Sequence, residues 1–154
     1  FCGLSHLEGE TIYILADYVA IGEFEVSGGA ITLDDYYNQV VAGEAFTTTI
    51  TPVEIDLIGQ SASATSATKK IVSLLLNVYE SAGGKYGASS STLHDIPWPQ
   101  QSGSSVNDPS YRWTGAYQFP MMVGPRREAT YTIVQDSPYP MTMRGLDCLF
   151  SVGN

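Results

Sequence analysis

The sequence predicts an all-β protein: a β-sandwich or partly open β-barrel with long loops and at most one short helix. Charged residues make up only 15% of the 154 residues, whereas about a quarter is typical of globular proteins. The difference is filled by Gly, Ser, Thr and Tyr, which favour turns and strands over the solvent-facing sides of long helices. In addition, short runs of β-branched and aromatic residues, separated by turn residues, recur along nearly the whole chain.

The length of the chain predicts its domain organisation. At 154 residues and 16.6 kDa it is long enough for one domain with a substantial core and short for two. We therefore predict a single β-rich domain over residues 1–154. The chain starts with Phe and no signal-peptide pattern follows it, so we expect it to be a fragment of a larger protein. No apolar run approaches the roughly 20 residues of a membrane span, and no membrane partner is expected.

Two β-like runs open the chain. Residues 11–19 are rich in β-branched and aromatic side chains, and residues 20–26 alternate in polarity. In a strand, this alternation places Ile21, Glu23 and Glu25 on one face.

Three further runs follow in the N-terminal third. Ser-Gly-Gly at 27–29 predicts a tight turn into a strand that starts at 30–33. Residues 38–43 and 46–58 are rich in Val, Thr and Ile, and the second of these runs alternates almost strictly. Pro52 within it predicts an edge strand or a bulge.

The middle of the chain contains the ambiguous element. Residues 60–68 are polar and low in complexity, which predicts a surface loop. Residues 69–82 fit a helical stripe and a strand alternation equally well, and the Gly83-Gly84 pair that follows suits a helix end or a hairpin. Residues 87–107 are rich in Ser, Pro and Gln, and loops of this length in compact domains are usually functional or mobile.

Strands resume in the C-terminal part of the chain. Residues 111–123, interrupted by Pro120, and residues 128–135 have strand patterns, and residues 141–152 form the last run. The whole chain then contains eight to ten strands, which is typical of a sandwich or barrel.

Charge is distributed unevenly along the chain. The formal net charge is −9, and residues 1–56 contain ten Asp or Glu and no Lys or Arg. Such a segment repels phosphates, which excludes tight nucleic-acid binding through it and disfavours an anionic lipid surface. We expect an anionic face, and its candidate residues are Glu23, Glu25, Asp34, Asp35 and Glu44.

No catalytic or metal-binding motif stands out. His6 with Glu8, and His94 with Asp95, each lack a third ligand at useful spacing, so we interpret both histidines as surface or turn residues. No serine lies in a Gly-x-Ser-x-Gly sequence. We therefore predict no enzymatic activity, no metal and no cofactor.

The two cysteines lie near opposite ends of the chain. Cys2 and Cys148 are too few for a disulfide framework and too far apart in sequence to suggest a metal knuckle. A bridge between first and last strands stays open, but the composition favours two unpaired, partly buried thiols.

Five residues are candidates for ligand or interface contacts: Trp98, Trp113, Tyr111, Arg126 and Arg127. Flat aromatic rings stack on sugars, which suggests a carbohydrate platform. Alternatively, Trp113 alternates into the core and Trp98 anchors the long loop; the core interpretation is favoured for Trp113, and both stay open for Trp98. The arginine pair follows a proline at a turn, which favours a solvated turn or an ion pair between subunits over a phosphate contact.

Seven motifs spread over most of the chain occur in the order of a known family. They are GLSHLEGET (3–11), ILAD (14–17), VSGGAITL (26–33), KKI (69–71), GKYG (84–87), WTG (113–115) and VQDSPYPMT (134–142). In these segments the chain resembles the C-terminal domain of the tail tube or nozzle proteins of short-tailed bacteriophages and related prophages.

The resemblance implies a structural subunit of the virion. The chain is then part of a larger tail protein that assembles with other copies, six being the expected number, into a ring around a DNA exit channel and contacts neighbouring tail proteins. DNA passes transiently without specific binding, and the acidic face points to solvent or lines the conduit. The expected location is the tail of a phage particle assembled in the bacterial cytoplasm.

The resemblance also bears on the elements left open above. It implies that residues 69–82 form a strand, and it has no counterpart for residues 87–107. Because Trp98 lies in that unmatched segment, the alternative function is a carbohydrate-binding, host-recognition module of a phage tail.

Overall fold

The computed structural model describes residues 1–54, 68–99 and 111–153. These residues form ten strands in three antiparallel sheets, none of which closes into a barrel, and one turn of 3-10 helix at Ser5–Leu7. The prediction of an all-β fold with at most one short helix is therefore confirmed for the described part of the chain. The loop predicted at 60–68 lies almost entirely outside the described residues.

Eight of the strands overlap runs singled out in the sequence, including the ambiguous residues 69–82. The sixth and seventh strands were not predicted, and the seventh lies within residues 87–107, which were expected to form a long loop. The strands are β1 (Thr11–Ala16), β2 (Val19–Glu25), β3 (Val40–Glu44), β4 (Thr48–Ile50), β5 (Thr68–Ser81), β6 (Lys85–Gly87), β7 (Leu93–Asp95), β8 (Trp113–Pro120), β9 (Thr132–Gln135) and β10 (Thr142–Gly153). The strand orders of the three sheets are β2-β1-β3, β10-β5-β8 and β4-β9-β6-β7.

The chain divides into two compact units, which are described separately. Unit 1 contains Phe1–Thr47, Gln100–Tyr111 and Asp136–Tyr139, and unit 2 contains Thr48–Pro99, Arg112–Gln135 and Pro140–Asn154, in each case through the residues that the structure describes. The organisation of the chain as one domain stays a prediction.

Unit 1 is built around strand β1. Ile12, Ile14 and Ala16 of this strand are fully buried, whereas Tyr13 and Leu15 between them are half-buried on the opposite face. Strands β2 and β3 pair with β1 on its two sides, so the buried row lies at the centre of the core of this unit.

A carboxylate holds the Ser-Gly-Gly turn of unit 1. Glu8 accepts hydrogen bonds from the backbone N–H groups of Gly28 and Gly29 at 2.8 and 2.6 Å. Both glycines have positive φ angles, 62° and 68°, a conformation in which successive N–H groups can face one anion. Two of the motifs recognised in the sequence therefore meet in space as a clamp.

A second carboxylate connects the β1–β2 turn with the start of β3. Asp17 and Tyr18 form this turn with φ angles of 47° and 70°, the left-handed pair that a two-residue hairpin requires. The Asp17 carboxylate accepts hydrogen bonds from the backbone N–H groups of Asn38 and Gln39 at 3.1 and 2.8 Å. The side chain thus fixes the entry to the third strand.

The strand predicted at 30–33 does not form. Ala30 makes isolated bridges, one of them with Cys2, and the Ile31 N–H donates to the Phe1 carbonyl at 2.9 Å. Because these are single contacts without neighbouring pairs in register, no strand forms at 30–33. The tight turn predicted at 27–29 is present.

Unit 2 is built around strand β5. Residues 69–82, which fitted helix and strand equally, belong to this strand, which lies between β10 and β8. Its backbone is hydrogen-bonded along both edges, and Leu74, Leu76 and Val78 are fully buried on one face. Pairing on both sides decides the ambiguous element, because it satisfies a strand's backbone groups over its length.

The two sheets of unit 2 share one core. The Tyr86 ring of β6 meets the Phe119 ring of β8 edge-on, with centroids 4.6 Å apart, and the Tyr86 hydroxyl donates to the Pro120 carbonyl at 3.2 Å. Ile133 of β9 belongs to the same buried cluster as Leu74 of β5. This packing is sandwich-like.

We expect Gly87→Ala to lower the free energy of unfolding by about 2 kcal/mol. A Cβ atom at this position would lie 2.0 Å from the carbonyl oxygen of Thr92, and a backbone carbonyl cannot rotate away as a flexible side chain can. Denaturant unfolding monitored by circular dichroism measures the effect. Gly124→Ala is the matched control, since its Cβ would meet nothing within 4 Å; equal stability of the two variants would contradict the prediction.

We expect Asp17→Asn to destabilise the protein near neutral pH and to lose this effect in acid. The backbone N–H groups of Asn38, and then of Gln39, hold the pKa of the Asp17 carboxyl below its ordinary value. A carboxyl with a lowered folded pKa contributes stability above its unfolded pKa of about 4, and this contribution is lost as the pH falls through the folded pKa. Melting temperatures of both proteins at about pH 6 and about pH 2.5 test this; a constant difference would contradict it.

Candidate functional site

The two units differ in charge. Unit 1 carries nine carboxylates among its described residues and no Lys or Arg, and all seven Lys and Arg of the chain lie in unit 2. The five candidates for an anionic face are all exposed in unit 1; they are Glu23, Glu25, Asp34, Asp35 and Glu44. That they act together as one working face stays a prediction.

The acidic unit contains a groove beside strand β3. Its volume is about 180 Å³, and its apolar lining comes from the half-buried face of β1 and from the strand that pairs with it. Tyr13 and Leu15 line it from β1, Val41 from β3, and Phe46 from the residues that follow. Val41 and Phe46 are 52% and 78% exposed, so much of the lining is in contact with solvent.

Three carboxylates lie at this apolar lining. Glu44 and Asp136 line the groove directly, and the Glu23 carboxylate accepts a hydrogen bond from the Tyr13 hydroxyl. This hydrogen bond is the largest of the causes that raise the pKa of Tyr13, followed by partial burial and by the negative charges of Glu23 and Asp136. Aromatic and aliphatic surface with a carboxylate rim is suited to a positively charged group on an apolar stem.

Both histidines are exposed, which agrees with their interpretation as surface or turn residues. His6 lies in the 3-10 turn, while the Glu8 carboxylate is bound to the Ser-Gly-Gly turn. His94 of β7 is exposed, with its ring 6.1 Å from that of Tyr86. Within the described ranges, no group of three or more His, Cys, Asp or Glu side chains is placed to hold a metal ion.

The tryptophans of unit 2 belong to an aromatic row on its core. The Trp98 indole N–H donates to the Gly83 carbonyl at 2.7 Å, and its ring lies 5.9 Å from Tyr117, which lies 5.9 Å from Trp113. All three pack against the buried cluster. These contacts are those of a loop anchor for Trp98 and of a core residue for Trp113, whereas Tyr111 is a half-exposed residue of unit 1.

The arginine pair lies on an exposed turn of unit 2. The Arg126 backbone is tied to β5, since it exchanges two hydrogen bonds of 2.7 Å with Lys69, while the side chains of Arg126 and Arg127 are exposed. In the part of the chain that the structure describes, neither guanidinium is paired with a carboxylate. The backbone thus holds two available cations at a fixed position.

Comparison with known proteins adds no family to these observations: no protein-family model matches the chain, and no curated protein matches it. The described residues contain no helix with the length and apolar character to cross a membrane.

Both cysteines are free thiols. Cys2 is exposed and Cys148 is half-buried. Burial, and then the negative charge of Asp147, raise the pKa of the Cys148 thiol. The favoured prediction of unpaired thiols therefore agrees with the structure, with Cys2 more exposed than predicted.

We expect an alkylating reagent to modify Cys2 about tenfold faster than Cys148 at about pH 8, because the thiolate is the reactive form and a raised pKa lowers its fraction. Mass spectrometry of tryptic peptides after timed iodoacetamide treatment measures both rates. Denatured protein is the control, in which the two rates should converge; equal rates in the folded protein would contradict the prediction.

Proposed function

We propose that the chain is a structural module of a bacteriophage tail, within the tube or nozzle ring that surrounds the DNA exit channel, and that it catalyses no reaction. The observation that carries this proposal is the absence of Lys and Arg from unit 1, whose described residues include nine carboxylates. Each phosphate that a protein neutralises adds affinity through counterion release. A surface past which DNA must move benefits from offering no such contact.

The motifs that carry the family resemblance support a framework role. Glu8 clamps Gly28 and Gly29, and Gly87 of the GKYG motif packs directly on a neighbouring carbonyl. In the WTG motif, the Thr114 hydroxyl accepts a hydrogen bond from the Glu80 N–H at 2.9 Å. These residues fix turns and strand contacts, which suits a module whose task is to keep its shape in an assembly.

The surface offers material for contacts with other copies and with neighbouring tail proteins. Several large apolar side chains are well exposed in the described residues; the most exposed are Tyr36, Val53, Phe46, Met122 and Leu149. Aromatic and Met side chains are enriched where proteins contact each other, so an assembly can use such groups as contacts. A ring of six copies in the tail of the virion is the assembly that we propose, with DNA as a transient occupant that is not bound specifically.

The carbohydrate-binding alternative stays a prediction. Trp98, the residue that suggested it, uses its indole N–H for the Gly83 carbonyl and packs against the core. We therefore favour the structural role.

The proposal predicts that phages with Asp34→Lys and Asp35→Lys assemble tails but release DNA more slowly, by about tenfold, because two phosphate contacts are gained for each copy in the ring. Release is measured by the fluorescence of a DNA dye after receptor addition. The matched control is Asp95→Lys with Glu128→Lys, which makes the same charge change at exposed positions of unit 2.

Electron cryo-microscopy of the wild-type tail tests the location directly. Density for the chain in a ring around the channel, with Asp34 and Asp35 facing the lumen, is the expected result. Particles that lack the chain would overturn the proposal. A ring in which these side chains lie away from the lumen, together with unchanged DNA release in the variant, would overturn its conduit part.

A further inference from the structure

The groove of unit 1 has room for a side chain that its own strand does not supply. Gly43 lies directly opposite Tyr13 in the β1–β3 register, and a Cβ atom built on Gly43 would meet nothing within 4 Å. The aromatic ring of Tyr13 therefore faces a gap in the row of side chains on β3. An incoming side chain can lie in this gap, with Leu15 and Val41 as apolar neighbours.

Charge restricts what the incoming group can be. Glu44 lines the groove, and Glu23 is hydrogen-bonded to Tyr13. Since unit 1 contains no Lys or Arg, it supplies no such cation to these two carboxylates. A guanidinium group fits best among protein side chains, because it is planar, stacks on aromatic rings and pairs with carboxylates.

Unit 2 carries the cations that match this groove. Lys69 is buried and paired with Glu54 at 3.2 Å, and the Arg144 guanidinium lies over the Tyr79 ring at 4.6 Å. Arg126 and Arg127 are exposed on their backbone-anchored turn, without a carboxylate partner among the described residues. Met122 nearby in sequence is 72% exposed and adds apolar contact area.

We propose that the groove of one copy receives the Arg126-Arg127 turn of a second copy, in a head-to-tail contact. Such a contact joins two different surfaces, so a pair of copies still has one free groove and one free arginine turn. Further copies can add at these ends, and the ring closes if the rotation between neighbouring copies adds up to one full turn. The inference rests on the proposed function, because it gives the ring its subunit contact. It concerns association of the chain in solution, which is measured without a phage.

The contact is tested by association of the purified chain in sedimentation velocity experiments. We expect self-association that weakens about tenfold between about 50 mM and about 500 mM NaCl, since salt screens exposed charges. Arg126→Ala with Arg127→Ala, and separately Gly43→Arg, should each weaken association at least tenfold. Lys70→Ala and Gly43→Ala are the matched controls, and both should associate like the wild type.

A mixture of the two variants provides the decisive measurement. The arginine-to-alanine variant keeps its groove, and Gly43→Arg keeps its arginine turn while its groove is filled. Mixed in equal amounts, they should form a complex that stops at two chains, because only one groove and one turn remain complementary. Circular dichroism confirms the fold of each variant, and the salt dependence of the wild type needs no variant.

Three outcomes overturn the inference. The first is a wild type that stays monomeric at all concentrations and salt levels. If N-acetyl-arginine amide still shifts the Gly43 amide signal in NMR spectra of that protein, the groove binds a guanidinium group from another chain. The second is association unaffected by both variants. The third is a mixture that grows beyond two chains. None of these touches the location of the chain in the tail, which electron cryo-microscopy decides separately.

Discussion

Burial of alternate residues on a strand that is paired along both edges is the constraint on which both units depend. In unit 1 the strand is β1, with Ile12 and Ile14 fully buried, and in unit 2 it is β5, with Leu74 and Leu76 fully buried. Pairing on both sides satisfies the backbone, and this permits one whole face to be apolar. Turns and carboxylate hydrogen bonds connect the strands that pair with β1. The β4-β9-β6-β7 sheet pairs with neither central strand and instead adds Tyr86 and Ile133 to the core that β5 lines.

Local patterns predicted much of this architecture, and they failed where long-range pairing decides. The polarity of residues 69–82 fitted two periods, and only the partners on both edges selected the strand. Alternation placed Ile21 with Glu23, but a register shift between Ile14 and Leu15 lets Ile21 pack against the core. A bulge of this kind depends on the partner strand, so the sequence of one strand does not reveal it.

The groove was not predicted, for the same reason. Tyr13, Gly43 and Asp136 are far apart in sequence, and the first two meet only through the β1–β3 register. The signals that point toward it were nonetheless present: an apolar face on each side of β1 and a long segment without Lys or Arg. In contrast, the exposed Arg126-Arg127 turn was a candidate from sequence, because a charged pair beside a proline is a local feature.

In the proposed ring, segregation of charge meets two demands. A wholly anionic unit does not retain DNA, but identical anionic surfaces also repel each other. If every cation lies in the other unit, then contact between like surfaces is disfavoured and contact between unlike surfaces is favoured, so charge alone selects a head-to-tail order. A single arginine placed in unit 1 would weaken both properties at once. In the proposed assembly, the absence of Lys and Arg from unit 1 therefore matters as much as the arginine turn of unit 2.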